Sequence, residues 1–332
     1  MENSKVWKVY YSGYFSKGEK GEHCCKEIKV DKKVIWNEEK WYIPSVYTSS
    51  KGLVIDFCKE ITVEKIQQFK EKWNLENWDI TEVPKEFWEE FETENPFNDD
   101  MNVQAFVNGK ELLCGHGCKT VWCPNLPEEV QGETESENVI LHYGLSLKTG
   151  WIVLRQTFKW GTKKSVIHSI KLCLSDYPKT IGIQRFSAEK EGDRVALRHP
   201  ITKEEHLLTV LEINSGELDN TNFPEKEMVW PTYYKEMKYT LTPDLPRSKF
   251  MVQDCAESDR PISKIERKNK GQVSVAVIGG GDGPTAIFLA GKSKGRYHTG
   301  LSSLHFKPVE KVEWKIGFQE KMREDIEIEI LF

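Results

Sequence analysis

The chain has 332 residues, of which 38% are hydrophobic and 30% charged, a balance that excludes disorder and predicts more than one folded domain. Its formal charge of -5 comes without a basic stripe, which excludes an extended nucleic-acid interface, because affinity for phosphate backbones rests on clustered Lys and Arg. The eight cysteines are not spaced as a small secreted framework, so reduced thiols are expected.

The opening stretch MENSKVWKVYYSGYF lacks the apolar core and small-residue cleavage site of a secretory leader, and the expected location is the cytoplasm. Alternation over 6–11 predicts a strand, and short β-branched or aromatic runs at 26–30, 41–48 and 53–57 predict three more. A helix is expected over 63–73, where Val63, Ile66, Phe69 and Trp73 share a face, Thr62 is the N-cap and Asn74 the stop. A second is expected over 84–94, with Pro84 at its first position and Phe87, Trp88 and Phe91 on its apolar face. Asn108-Gly109 then joins two short strands in a type I′ hairpin. The acidic stretch 126–138 reads as a linker. Strands follow at 139–147, 151–160, 165–174, 180–186, 194–197 and 206–213, then irregular structure over 230–246. A last module opens at Gly271 with a strand, a Gly-rich turn and a short helix near 285–290. It closes in a hairpin setting Val312, Trp314, Ile316 and Phe318 against Ile326, Ile328, Ile330 and Phe332. The expected fold class is α+β, mainly antiparallel sheet with two helices packed on one face and a small C-terminal β-rich module. The expected domains are 1–130, 137–262 and 271–332.

Cys114, His116, Cys118 and Cys123 are the densest group of potential metal ligands. Soft donors separated by glycines could turn inward on one ion, and zinc is the ion such a set would hold. Two other readings stand beside it. Cys114 and Cys123 are small buried hydrophobes at strand ends, or Cys118 is a nucleophile activated by His116 and Lys119. His23-Cys24-Cys25 could supply further ligands.

Gly279, Gly280, Gly281, Asp282, Gly283 and Thr285 form a second group, between a strand pattern and a short helix. Consecutive glycines let several backbone N–H groups point at one anion, while Asp282 would cap the helix or hold a cation. The run VAVIGGGDGPTAIFLAGK resembles the Gly-Gly-Ala-Asp-Gly-Pro-Thr signature of sodium-translocating decarboxylase β subunits, with Gly281 in place of Ala. The resemblance implies an ion-handling role for Asp282, but it covers this segment alone. That family spans the membrane, whereas the apolar stretch 273–291 is broken at its centre by glycines, Asp and Pro, so no span is expected. AIFLAGKS fits a relaxed nucleotide-binding loop only formally, because its variable positions are apolar and helix-like.

Asp254, Asp259 and Arg260 form a polar turn that would line a pocket or end a sheet. No serine-hydrolase elbow, zincin helix or EF-hand loop occurs. Two functional readings result. The first is a non-catalytic binding or interaction protein whose partner is a protein or a small molecule. The alternative is an enzyme using the Cys114 to Cys123 loop, with or without zinc, and the Gly-rich turn as an anion site.

Overall fold

The computed structural model describes residues 7–15, 18–75, 80, 83–84, 87–124, 135–161, 164, 166–219, 228–263 and 297–332. Among the described residues strand accounts for 51% and helix for 11%. Two compact units form, one of Met1–Pro178 with Lys321–Phe332 and one of Lys179–Glu320.

The first unit contains a five-stranded antiparallel sheet in the order β1 (Lys26–Trp36), β2 (Glu39–Thr48), β3 (Gly52–Ile61), β7 (Gly150–Lys159), β6 (Leu113–Trp122). A second sheet runs β18 (Ile326–Leu331), β8 (Ser169–Asp176), β4 (Met101–Val107), β5 (Lys110–Glu111). Their facing side chains make one core, in which Trp41, Leu53, Ile55, Phe57, Ile152 and Phe158 of the first sheet meet Val103, Ala105, Ile170, Leu172 and Ile328 of the second. This is sandwich packing. In β3 the alternate residues Val54 and Cys58 point the other way and are equally buried, so the outer face must be covered as well. Helix α3 (Glu135–His142) and the N-terminal arm cover it, through Val139, Ile140, Val9 and Phe15.

Helix α1 (Val63–Lys72) starts as expected, with Thr62 Oγ1 accepting the Lys65 N–H at 3.3 Å, and the chain turns out of it at Asn74 with φ 50°. Asn108 and Gly109 likewise take the positive φ values, 49° and 80°, of the expected hairpin turn. The expectation of two helices packed on one sheet face is overturned. Phe69 of α1 and Phe91 of α2 (Trp88–Glu94) form a small cluster with Leu75 and Val83, and of these two helices only Ile66 enters the sandwich core. The molecule is mostly β, not α+β with a helical layer.

The second unit is a seven-stranded, nearly closed barrel-like sheet, ordered β10 (Arg194–Arg198), β11 (Glu205–Glu217), β13 (Tyr233–Thr242), β16 (His298–Leu301), β14 (Phe250–Asp254), β17 (Glu313–Glu320), β9 (Lys179–Ser187). A short ribbon pairs β12 (Met228–Val229) with β15 (Ile262–Ser263). Leu208, Met237, Tyr239, Trp314 and Phe318 fill the interior. Between the outermost strands the Gln184 amide stands in for a ladder, donating to the Arg198 carbonyl at 2.8 Å and accepting the Arg198 N–H at 3.2 Å. It satisfies an edge that would otherwise be open.

Three further expectations are corrected. The run 139–147 begins within α3, and 230–246 contains the regular strand β13. The alternating pair expected as a closing hairpin is split: β17 pairs with β14 and β9, whereas β18 pairs with β8. Alternation fixes which side chains are buried but not which strand is the neighbour. The expected strand, Gly-rich turn and helix of 271–290 lie outside the described residues. In the first unit the returning chain is held by Arg323, whose guanidinium bonds Asp99 and Asp176 at 2.7 Å each and stacks 4.2 Å from the Trp36 ring. Among the described residues no helix is long and apolar enough to cross a membrane.

Candidate functional site

The expected zinc set lies along and just beyond β6. Side chains alternate across a strand, and that alternation separates the candidates. Cys118 packs with Trp122 on the outer face, among the residues under α3, while Cys123 is buried in the core between the two sheets. His116 also faces the arm, its ring edge-on to Tyr11 and Tyr14 at 6.2 and 5.7 Å and its Nδ1 3.3 Å from Thr157 Oγ1. Cys114 is exposed and accepts a hydrogen bond from Gln156 Nε2 at 3.2 Å. The four side chains do not converge on one point. Among the described residues no group of three or more His, Cys, Asp or Glu is placed to hold a metal ion.

Nor is Cys118 set up as a nucleophile. It lies opposite Arg155 on the neighbouring strand, but burial pushes its thiol up to about 11, and Asp56 offsets the help that Arg155 gives. A reactive cysteine needs the opposite shift. Burial likewise raises Cys25 to about 11 and Cys123 to about 12. Gly279, Gly280, Gly281, Asp282, Gly283 and Thr285 lie outside the described residues.

On the same outer face the structure assembles a buried polar chain. Asp56 and Arg155 are directly opposite in the β3–β7 ladder and are 0% and 2% exposed. Arg155 donates to both carboxylate oxygens, Nε to Oδ1 at 2.8 Å and Nη2 to Oδ2 at 2.7 Å, and its Nη1 donates to the Tyr14 carbonyl at 2.7 Å. Phe15 and Trp7 roof the guanidinium, their ring centroids 4.4 and 5.7 Å from its carbon. From Asp56 the chain continues outward. The Tyr143 hydroxyl donates to Asp56 Oδ2 at 2.6 Å, and the Tyr47 hydroxyl lies 2.8 Å from Tyr143 and 3.1 Å from Glu27 Oε1. Since Tyr143 spends its only proton on Asp56, the single proton of Tyr47 is shared between Tyr143 and Glu27. Glu27 also meets Ser45 and His142, at 2.6 and 3.1 Å, and the His142 ring stacks on Trp7 at 5.0 Å.

Electrostatically this chain is closed. Burial first, then Asp56, holds the Tyr143 and Tyr47 hydroxyls far above the usual phenol range, so both stay protonated. Burial works against ionised Glu27, but hydrogen bonds from Ser45 and His142 outweigh it and hold the carboxyl below its ordinary value. Burial also opposes the Arg155 charge, and Asp56 more than restores it. Every charge has its partner, as burial requires. The arrangement ties the arm and α3 to the sheet.

The second unit offers a contrasting place. A groove of about 700 Å3 is lined by Asp259, Arg260, His305, Phe306, Lys307 and Pro308 among others. It lies between the segment after β14 and the segment after β16, which are laced together. The Asp259 N–H donates to the Leu304 carbonyl and the Phe306 N–H to Asp259 Oδ2, each at 2.8 Å. Asp254 accepts the Ala256 and Ser303 N–H groups at 2.9 and 3.1 Å. Asp259 and Arg260 thus line a groove, one of the two roles expected for that turn, while Asp254 joins the two segments through its hydrogen bonds. The Arg260 and Lys307 side chains stand exposed at this groove without a partner among the described residues.

Sequence reasoning passed over Asp56 and Arg155, although each is a charge inside an apolar strand run, GLVIDFC and WIVLRQTF. That is the signal of a buried pair. No protein-family model, curated protein or solved structure matches this chain.

Proposed function

We propose that this chain is a non-catalytic binding protein whose binding face is the groove of the second unit. The observation that carries the reading is the contrast in charge use: Asp56, Arg155 and the tyrosines of the outer-face chain satisfy one another, whereas Arg260 and Lys307 at an open groove are uncommitted. A binding surface keeps polar groups available above a partly apolar floor. The alternative, an enzyme built on the Cys114 to Cys123 loop, draws no support from Cys118 and Cys123 on opposite sheet faces or from raised thiols.

The test is a thiol and metal profile of the purified chain. With limiting alkylating reagent, exposed Cys24 and Cys114 are expected to react first, half-buried Cys118 more slowly, and buried Cys25, Cys58 and Cys123 only as the chain opens. Cys118 outpacing the exposed thiols, or stoichiometric zinc lost in Cys114→Ser/Cys118→Ser, would overturn the reading in favour of the enzyme.

A further inference from the structure

We propose that the groove of the second unit takes a small organic oxyanion, a phosphate monoester or carboxylate carried on an apolar body. The proposal rests on the binding reading above and adds the class of ligand. Three features of the groove support it.

The first is the state of its acid. Asp259 is the carboxylate of the lining, and it is engaged with the protein itself: Oδ2 accepts the Phe306 N–H at 2.8 Å and Oδ1 lies 3.5 Å from His305 Nδ1. A carboxylate fixed in this way shapes the loop instead of pairing with the cations at the rim. The second is the cations. Lys311 is paired with Glu189 at 3.1 Å, but Arg260 and Lys307 have no partner among the described residues. A guanidinium fork and an ammonium on one groove match the several acceptor oxygens of a phosphate or carboxylate, through charge-assisted hydrogen bonds. The third is the floor. Phe306, Pro308 and Val309 supply apolar surface beside those cations, with Val309 packed against the barrel core. A bare ion would leave that surface unused, whereas an apolar or aromatic body would cover it.

The backbone bonds described above fix this surface before a ligand arrives. The His305 N–H donates to the Tyr233 carbonyl at 2.9 Å, and its carbonyl accepts the Tyr233 N–H at 3.0 Å. The segment carrying Phe306 and Lys307 is thus anchored to β13, which lowers the ordering cost of binding.

The experiment is calorimetric titration of the full chain with phenyl phosphate and benzoate, with benzyl alcohol as the neutral control. At least one oxyanion is expected to bind about tenfold more tightly than benzyl alcohol. Arg260→Gln/Lys307→Gln should remove about that factor, and Lys33→Gln, an exposed position on β1, should leave it intact. Phenyl phosphate alone would identify the phosphate source, benzoate alone the carboxylate, and both support the proposal. Equal binding of benzyl alcohol, oxyanion binding unchanged in the double variant, or no binding of either oxyanion would each overturn it. These outcomes are separate from the thiol and metal profile, on which the binding reading itself stands.

Discussion

Arg155 and Arg260 carry the same guanidinium into opposite surroundings. Arg155 is 2% exposed, forked onto Asp56, bonded to the Tyr14 carbonyl and roofed by Phe15 and Trp7. Arg260 stands exposed at a groove in the second unit, with no partner among the described residues. A buried cation tolerates no vacancy, because losing its counter-charge leaves an uncompensated ion away from water. An exposed one keeps its hydration and remains available to a ligand. On the proposed reading the first arrangement serves folding and the second recognition, and substitutions at the two places should differ in kind.

The largest effect is expected at Asp56. Asp56→Ala strands Arg155 in the outer-face layer and should cost about 3–5 kcal/mol, read from the urea midpoint at constant m. The arm should loosen with it, shown by faster exchange of the Cys25 amide, which donates to the Val9 carbonyl at 2.7 Å. A loss below about 1 kcal/mol would mean that the pair behaves like a surface ion pair. Next comes Tyr143→Phe, which removes the donor to Asp56 Oδ2 and the acceptor for Tyr47. Leaving these groups short of a partner should cost about 1–3 kcal/mol, measured in the same unfolding series.

Glu27 sharpens the comparison through pH. Its carboxyl is held below the ordinary value in the folded chain, so it contributes stability above the unfolded carboxylate pKa, and that contribution is lost as pH falls through the lower folded value. Glu27→Gln should flatten the acid limb of the stability profile. Because Glu27 and His142 are partly exposed, the change should stay under about 1 kcal/mol. The smallest effect is expected at the groove: Arg260→Gln/Lys307→Gln should leave the unfolding midpoint within about 0.5 kcal/mol of wild type. A larger loss would show that these cations support the fold.

Legibility in the sequence followed the range of the interactions. Local features read correctly: the Thr62 cap, the Asn74 stop and the Asn108-Gly109 turn depend only on neighbouring residues. Partners distant in sequence did not. The alternation of 313–320 and 326–331 was plain, yet these strands join different sheets. Val139 and Ile140 belong to a short apolar run whose period is ambiguous, and they sit in α3. In the site, Cys118 and Cys123 face opposite sides, which was not legible because the glycine-interrupted run did not read as the continuous strand β6. The stretch of Asp254, Asp259 and Arg260 was legible as a polar turn that would either line a pocket or end a sheet, and Asp259 and Arg260 line the groove while Asp254 ends β14. The groove's other wall, 305–309, lies too far along the chain to be found without the register of β14 and β16.

The central claim is that recognition falls to the groove while the outer-face chain serves the fold, and hydrogen exchange with and without saturating phenyl phosphate tests it most directly. The account predicts added protection in the segments 254–260 and 302–311, with the amides of 7–25 and 135–143 unchanged. Protection in the arm and α3 instead, with none at the groove, would contradict it and return attention to Glu27, His142 and Trp7.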